Sequence, residues 1–334
     1  MSQSFAVRIA GIGRYLPARV VTNDEVEELC LLSPGDIAQT GAGVVTRHWA
    51  NRDETNSMMG AAAAREAIED AGLALEDIDL ILNASGTQEQ VIPDGAPLIQ
   101  RELGLGSSGI ACMSVHTTCL GFYSALDISA SFLATGRYHK ILIVNSDITS
   151  VGLNCNQPSS AMLFGDGAAA VVVTACEPGQ SSCIEALHFE TYGVGAHLTE
   201  IRGGGTRRHP NLPETKKRDN LFSMDGEGVY LLAREYFGRF MQTFQPGLIP
   251  DGIDTIDWFV PHQASMAALK MLERMGVPRS KMVVTVDRYG NTVSSSTPIA
   301  LYEAIRDGRI QRGQRLLLAG TAAGLSLGAV ILRY

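Results

Sequence analysis

The chain of 334 residues lacks four things, and each absence narrows what it can be. It has no run of about 18 apolar residues, so no segment reads as a membrane span. Met1 to Arg14 also lacks the charged stretch followed by an apolar one that marks a secretory leader. It has no C-x-x-C pair: Cys30, Cys112, Cys119, Cys155, Cys176 and Cys183 lie mostly in apolar or small-residue stretches, unlike a zinc site or a secreted disulfide framework. And it has no excess of positive charge. Against 35 Asp and Glu stand 27 Lys and Arg, a net of −8, so the surface as a whole repels nucleic acid and anionic lipid. The expectation is a cytoplasmic protein with reduced thiols, no metal, and neither nucleic acid nor membrane as partner.

What is present is apolar and well spread. Hydrophobic residues make up 45% and charged residues 19%, enough for a sizeable core and too apolar for general disorder. The length fits two domains or one large α/β unit. Phe5 to Gly13 alternates and then meets glycines, which predicts a strand entering a turn at Gly11 to Pro17, with Asn23 as the cap of a following helix. Ser57 to Ala71, rich in Ala and Glu and closed by Gly72, predicts a helix with a small-residue face. Ile78 to Leu82, Ile110 to Val115 and Ile141 to Val144 read as apolar strands, and Ala96 to Leu103, Leu120 to Ala134 and Ile299 to Ile305 as helices. Apolar strands alternating with helices imply parallel pairing with helices on the faces.

The order then repeats. Ile78 to Leu82 resembles Ile256 to Val260, Lys140 to Val144 resembles Arg315 to Ala319, and Gly167 to Val173 resembles Gly328 to Leu332, at nearly constant separations. Two similar halves, 1–177 and 178–334, divide near Glu177 to Ser182; chance likeness among apolar strands is the alternative. Between the paired strands, Arg202 to Asn220 is long and polar and carries Arg207, Arg208, His209, Lys216, Lys217 and Arg218. A solvated loop is the preferred reading of it, and a landing site for a phosphate or an acidic carrier protein is the other. Gly203-Gly204-Gly205 lacks the Lys-Ser/Thr and helix pattern of a phosphate loop.

Three residues sit where chemistry collects. Cys119 lies where an apolar strand gives way to small polar residues and a helix begins. A helix N-terminus lowers a thiol's pKa and stabilises thiolate or an adjacent oxyanion, although cysteine is also often buried without function. His262 follows the strand Trp258 to Pro261, and strand C-terminal ends are where α/β folds gather catalytic groups; a purely structural histidine is the alternative. Asn291 lies in a glycine-punctuated polar loop, where Asn beside Gly ordinarily marks a turn. Met266, Met271 and Met275 fit core or dimer packing better than ligand roles.

Six ordered motifs then align with one family: Gly11-Ile-Gly-Arg-Tyr-Leu-Pro, Thr118-Cys119-Leu-Gly-Phe, Leu163-Phe-Gly-Asp-Gly-Ala168, Val260-Pro-His262-Gln-Ala, Tyr289-Gly-Asn291-Thr-Val-Ser-Ser-Ser, and the Gly-rich end Gly320 to Gly328. The sequence resembles the β-ketoacyl-acyl carrier protein synthase III group of condensing enzymes, in the thiolase-like superfamily, over almost its whole length. The resemblance implies an α/β, five-layered αβαβα fold of two duplicated halves, the first carrying the nucleophilic cysteine and the second the histidine and asparagine. It implies a catalytic triad of Cys119, His262 and Asn291, and an oxyanion hole of backbone N–H groups at Cys119 and Ala323. It implies no cofactor, an acyl-CoA or acyl-carrier donor, a malonyl-carrier or malonyl-CoA acceptor, and a homodimer with the strand after Ser114 as its edge. In such enzymes the Cys-bound acyl group undergoes decarboxylative Claisen condensation. The Gly165-Asp166-Gly167 turn would shape the site's interior, a plain turn being the alternative.

The match frays at positions that bear on substrate. The Trp and Arg that clamp the adenine of coenzyme A in the family are Gly35 and Gln39 here, and the carrier-docking Arg after the catalytic His is Ala267, with Lys270 one turn later as a possible substitute. Ile92 stands where the family reaches the partner subunit's acyl pocket; relatives that join two fatty acyl chains use Glu there, so Ile92 argues against that reaction. Thr117-Thr118 replaces small residues before Cys119. These departures suggest a specialised paralogue of secondary metabolism or one for an unusual acyl chain. An acyltransferase delivering to a hydroxyl or amine is the principal rival, and a non-catalytic scaffold subunit the remaining one.

Overall fold

A computed structural model describes residues 4–177, 179–180 and 182–334, apart from the side chain of Gln39. The boundary drawn between residues 177 and 178 falls on Pro178, outside the described residues. Two large sheets account for most of the strand residues. In chain order their strands are β1 (Val7–Tyr15), β2 (Leu80–Asn83), β3 (Ala111–Ser114), β4 (Lys140–Asp147), β5 (Gly167–Ala175), β6 (Cys183–Thr191), β7 (Trp258–Pro261), β8 (Arg315–Ala322) and β9 (Ser326–Arg333). The first sheet runs β1-β5-β4-β2-β3 and the second β6-β9-β8-β7. β1 against β5 and β5 against β4 are antiparallel, and β4 against β2 is parallel. The second sheet repeats this: β6 with β9 and β9 with β8 are antiparallel, and β8 with β7 is parallel. The strands that echo in sequence therefore occupy equivalent places in the two sheets.

Seven longer helices complete the layers: α1 (Asn23–Leu29), α2 (Asn56–Asp70), α3 (Gly95–Glu102), α4 (Gly121–Ala134), α5 (Gly226–Phe244), α6 (Met266–Arg274) and α7 (Ser296–Arg306). Both sheets are buried on both faces, and successive residues serve different cores. Ile141 and Ile143 of β4, with Leu316 and Leu318 of β8, pack inward on Phe122 and Leu126 of α4 and Ala300 and Leu301 of α7. Leu142 and Val144 pack outward on Ala63 and Ala67 of α2. Leu317 and Ala319 pack outward on Phe237 and Phe240 of α5. The result is five layers, helix-sheet-helix-sheet-helix. Among the described residues no helix is long and apolar enough to cross a membrane.

The small-residue face of α2 has a direct use. A Cβ on Gly11 or Gly13 of β1 would stand 2.2 Å from the carbonyl oxygen of Ala67 or Ala63, so strand and helix backbones nearly touch. Gly13→Val is expected to destabilise the fold by about 3 kcal/mol or more, because the clash is with backbone and cannot be relieved by a rotamer. A shift of the urea midpoint by less than about 1 kcal/mol equivalent would show that α2 is free to move.

Some expectations need correcting. The first helix is capped by Thr22, not Asn23: its side chain accepts from the Glu25 N–H while the Glu25 carboxylate accepts from the Thr22 N–H. The edge strand β3 ends at Ser114 instead of following it. Cys30 and Cys155, 125 residues apart, form a disulfide between the end of α1 and the loop after β4. This overturns the reading of six reduced thiols. It also removes cysteine usage as an argument for a cytoplasmic location.

Candidate active site

Cys119 is delivered by a sharp change of direction. After β3 the chain makes a single 3₁₀ turn, Thr118–Leu120, with Thr118 at φ 48°, and runs directly into α4. A Cβ on Gly121 would lie 2.0 Å from the Ala84 carbonyl oxygen, so the helix start is pressed onto the end of β2. Burial pushes the Cys119 thiol up to about 12; the charge of Asp147 adds to this, and the residue's own backbone N–H pulls the other way. The expected lowering at a helix N-terminus is therefore outweighed in the free enzyme, because removing water costs the thiolate more than the backbone amide returns.

His262 follows β7, and its N–H continues the ladder to the Ala319 carbonyl at 3.0 Å. The side chain is 5% exposed, and burial pushes its pKa down to about 4, so the imidazole is neutral at pH 7. Nδ1 lies 2.6 Å from the hydroxyl of Ser296, the first residue of α7. A Ser296 hydroxyl that donates to Nδ1 leaves the proton on Nε2, turned to the site. Ser296 closes the motif that begins at Tyr289, but nothing in the sequence marks its contact with His262, 34 residues away. Ser296→Ala should lower turnover about tenfold with KM little changed, and shift the acid limb of the pH profile. If turnover falls without moving that limb, the contact is only structural.

Asn291 is held at both backbone groups. Its N–H donates to the Leu163 carbonyl at 2.7 Å and its carbonyl accepts from the Gly165 N–H at 3.2 Å. Its Oδ1 accepts from the Val293 N–H at 2.9 Å, which fixes the amide orientation and leaves Nδ2 as a donor with no protein partner among the described residues. The Leu163-to-Ala168 motif is thus the shelf on which Asn291 rests. A Cβ on Gly165 would meet the Tyr289 carbonyl at 2.1 Å, and the buried Asp166 carboxylate gathers the N–H groups of Ala50, Thr149 and Ser150. The turn braces the wall on which Asn291 rests.

Glycines let these segments converge. A Cβ on Gly320 would stand 2.7 Å from the His262 Cβ and 3.4 Å from Leu120, the neighbour of Cys119. A Cβ on Gly86 would stand 2.5 Å from Val293 and 3.4 Å from the Thr118 carbonyl. Two braces have no local sequence signal. Asp147, fully buried at the end of β4, accepts from the N–H groups of Gly86, Thr87 and Ser295 and from the Ser294 hydroxyl. Gln263 accepts from the Thr285 and Val286 N–H groups and donates to the carbonyls of Pro261 and Val283.

Ala323 is half-buried in the turn between β8 and β9. Ile92 is 85% exposed on the loop after β2, and Lys270 is exposed on α6 beside the exposed Ala267. Gly35 is exposed at φ 87°, a conformation a Trp there would resist.

Five layers of duplicated halves, with a cysteine at one helix start and a histidine and an asparagine at the turns facing it, define a condensing enzyme of the thiolase-like fold. Residues 113–193 match the model of the family described as 3-oxoacyl-[acyl-carrier-protein (ACP)] synthase III, and residues 252–334 that of its C-terminal part. The chain is 36% identical over 331 residues to the β-ketoacyl-[acyl-carrier-protein] synthase III of Methylococcus capsulatus, covering 98% of each. It is 35% identical over 333 residues to the β-ketoacyl-[acyl-carrier-protein] synthase III 1 of Bacillus cereus, covering 98% of this chain and 99% of that one. The crystal structure of the 3-oxoacyl-[acyl-carrier-protein] synthase III of Aquifex aeolicus superposes with a TM-score of 0.84 at 31% identity, over 98% of this chain and all of that one. The chain belongs to the β-ketoacyl-acyl carrier protein synthase III family, and is a condensing enzyme, a transferase.

Proposed function

We propose that Cys119 takes an acyl group from a coenzyme A or carrier-protein thioester and that His262 and Asn291 direct its condensation with a malonyl thioester. In the first half the Cys119 sulfur attacks the thioester carbonyl. The new S–C bond replaces the old one, and the departing thiol leaves with the Cys119 proton. The thiol is protonated at rest, so its proton must leave as attack proceeds, and the start of α4 stabilises the sulfur's developing charge. Backbone N–H groups of Cys119 and Ala323 serve the tetrahedral oxyanion. In the second half the malonyl carboxylate leaves as carbon dioxide and its electrons become an enolate. His262 Nε2–H and Asn291 Nδ2–H donate to the enolate oxygen. The enolate carbon then attacks the acyl carbonyl, and the Cys119 sulfur leaves and regains a proton.

The observation that carries this reading is the neutral, buried His262 with Ser296 on Nδ1, together with an Asn291 amide whose Nδ2 has no protein partner among the described residues: two uncharged donors suited to an oxyanion. The division of labour follows the chain, residues 1–177 supplying the nucleophile and 178–334 the two donors. The exposed edge of β3 and the exposed Ile92 support a homodimer in which Ile92 enters the partner's acyl pocket. Intact mass after incubation with a panel of acyl-CoA and acyl-carrier thioesters tests the first half, and release of carbon dioxide with a product two carbons longer tests the second. Discharge of the acyl group only to an alcohol or amine would overturn the condensation reading.

A further inference from the structure

The arm between the paired strand residues 199–200 and 223–224 carries a charge opposite to that of the molecule. Residues 206–220 hold five cations, Arg207, Arg208, Lys216, Lys217 and Arg218, against Glu214 and Asp219, a net of +3 in a chain of −8. Arg207, Lys216, Lys217 and Arg218 are exposed, and among the described residues none of the five cations forms an ion pair, whereas Arg202 at the arm's base is paired with Glu200. A solvated loop would let such side chains wander on a loose backbone, but this backbone is built. The Leu212 N–H donates to the His209 carbonyl, the Thr215 hydroxyl to the same carbonyl, and the Asp219 carboxylate accepts from the Lys216 N–H. The Gly203 N–H donates to the Asp219 carbonyl at 2.6 Å and closes the arm at its neck.

The neck leads to the site. Phe222, two residues beyond the arm, donates its N–H to the Gly152 carbonyl and packs edge-on against Phe164 with ring centroids 4.7 Å apart. Phe164 in turn bridges through its backbone to Asn291. The arm therefore stands on the same wall that shelves Asn291.

We propose that the arm at 202–220 is the docking surface for an acidic carrier protein that presents its thioester to Cys119; this rests on the condensing function proposed above. A pre-ordered, unpaired array of cations on an acidic protein steers an acidic surface to one face and rejects it elsewhere. The array is spread over 12 residues and holds no Phe, Tyr or Trp to stack a base, which fits a broad acidic protein face better than a nucleotide.

The test is the triple variant Lys216→Glu, Lys217→Glu, Arg218→Glu, with the corresponding triple Gln variant as its neutral partner. Affinity for a phosphopantetheine-bearing acyl carrier protein is measured by titration calorimetry, and kcat/KM is compared for one acyl group on that carrier, on coenzyme A and on N-acetylcysteamine. Carrier affinity and carrier-borne kcat/KM should fall at least tenfold in the Glu variant and less in the Gln variant, with the N-acetylcysteamine thioester unchanged. Raised salt should weaken carrier binding in the wild type, have little effect in the Gln variant and relieve the repulsion in the Glu variant. Unchanged carrier affinity, or a loss confined to acyl-CoA, overturns the proposal. Failure of the wild type to be acylated by any thioester, while carrier binding still depends on the arm, would overturn the condensing function and leave the docking surface standing.

Discussion

Cys119→Ala is expected to release carbon dioxide from a malonyl thioester and yet never gain the mass of an acyl group. Its two halves of chemistry reside on different segments. In the proposed mechanism the nucleophile Cys119 stands on the turn before α4, whereas the donors His262 and Asn291 stand just after β7 and on the shelf formed by Leu163 to Gly165. Removing the sulfur deletes the covalent intermediate and lowers overall condensation by about four orders of magnitude or more, since no other group can take over the acyl transfer. The donors remain, because the His262–Ser296 contact and the Asn291 amide do not touch the sulfur. The experiment reads acylation by intact mass and decarboxylation by carbon dioxide released, on the same preparation. Acylation persisting in the Ala variant would move the nucleophile elsewhere, and Cys112, Cys176 and Cys183 would be the remaining free thiols to examine. Loss of both activities together would mean that the two halves are not separable in this site.

Legibility in the sequence followed the range of the interaction involved. The settings of Cys119 and His262 could be read because each is local: an apolar strand runs out, small or polar residues follow, and a helix starts within a few positions. The duplication could be read because equivalent strands keep their apolar alternation at nearly constant spacing, and the two sheet orders repeat it. Asp147 could not be read. Its partners Ser294 and Ser295 lie 147 and 148 residues away, and a lone acidic residue at a strand end has no pattern to mark it. The same holds for Ser296 and for the disulfide, whose cysteines meet only when α1 packs against the loop after β4. The thiol's charge state failed for a different reason. Helix polarity can be read along the chain, but loss of water depends on everything packed around the sulfur, and here it outweighs the helix. The arm at 202–220 was legible as basic, but its internal hydrogen bonds, which turn a charged loop into a fixed surface, were not.

His262→Ala is expected to do the reverse of the cysteine change, sparing acylation and slowing decarboxylation. Loss of one preorganised donor to a developing oxyanion costs about 10²- to 10³-fold, so decarboxylation should fall by that factor while Cys119 still becomes acylated. The protonation state of His262 adds a second readout. Burial holds its folded pKa at about 4, below the ordinary 6.5, so the fold favours the neutral ring. Between pH 6.5 and 4 the unfolded chain takes up a proton that the folded chain refuses, so stability falls as pH falls through that window. The loss reaches about 3 kcal/mol at its lower end, and the Ala variant, which has no ring to protonate, should lose that much less than the wild type in urea titrations across the same range. Activity follows the same ring. A donor already neutral at pH 7 does not change through pH 6.5, so wild-type decarboxylation should show no limb at the ordinary histidine value and should fall only as pH approaches 4. A limb near 6.5 would mean that the ring is hydrated and titrates normally, and the donation from Nε2 would then have to come from an imidazolium, reversing the role assigned to burial at this site.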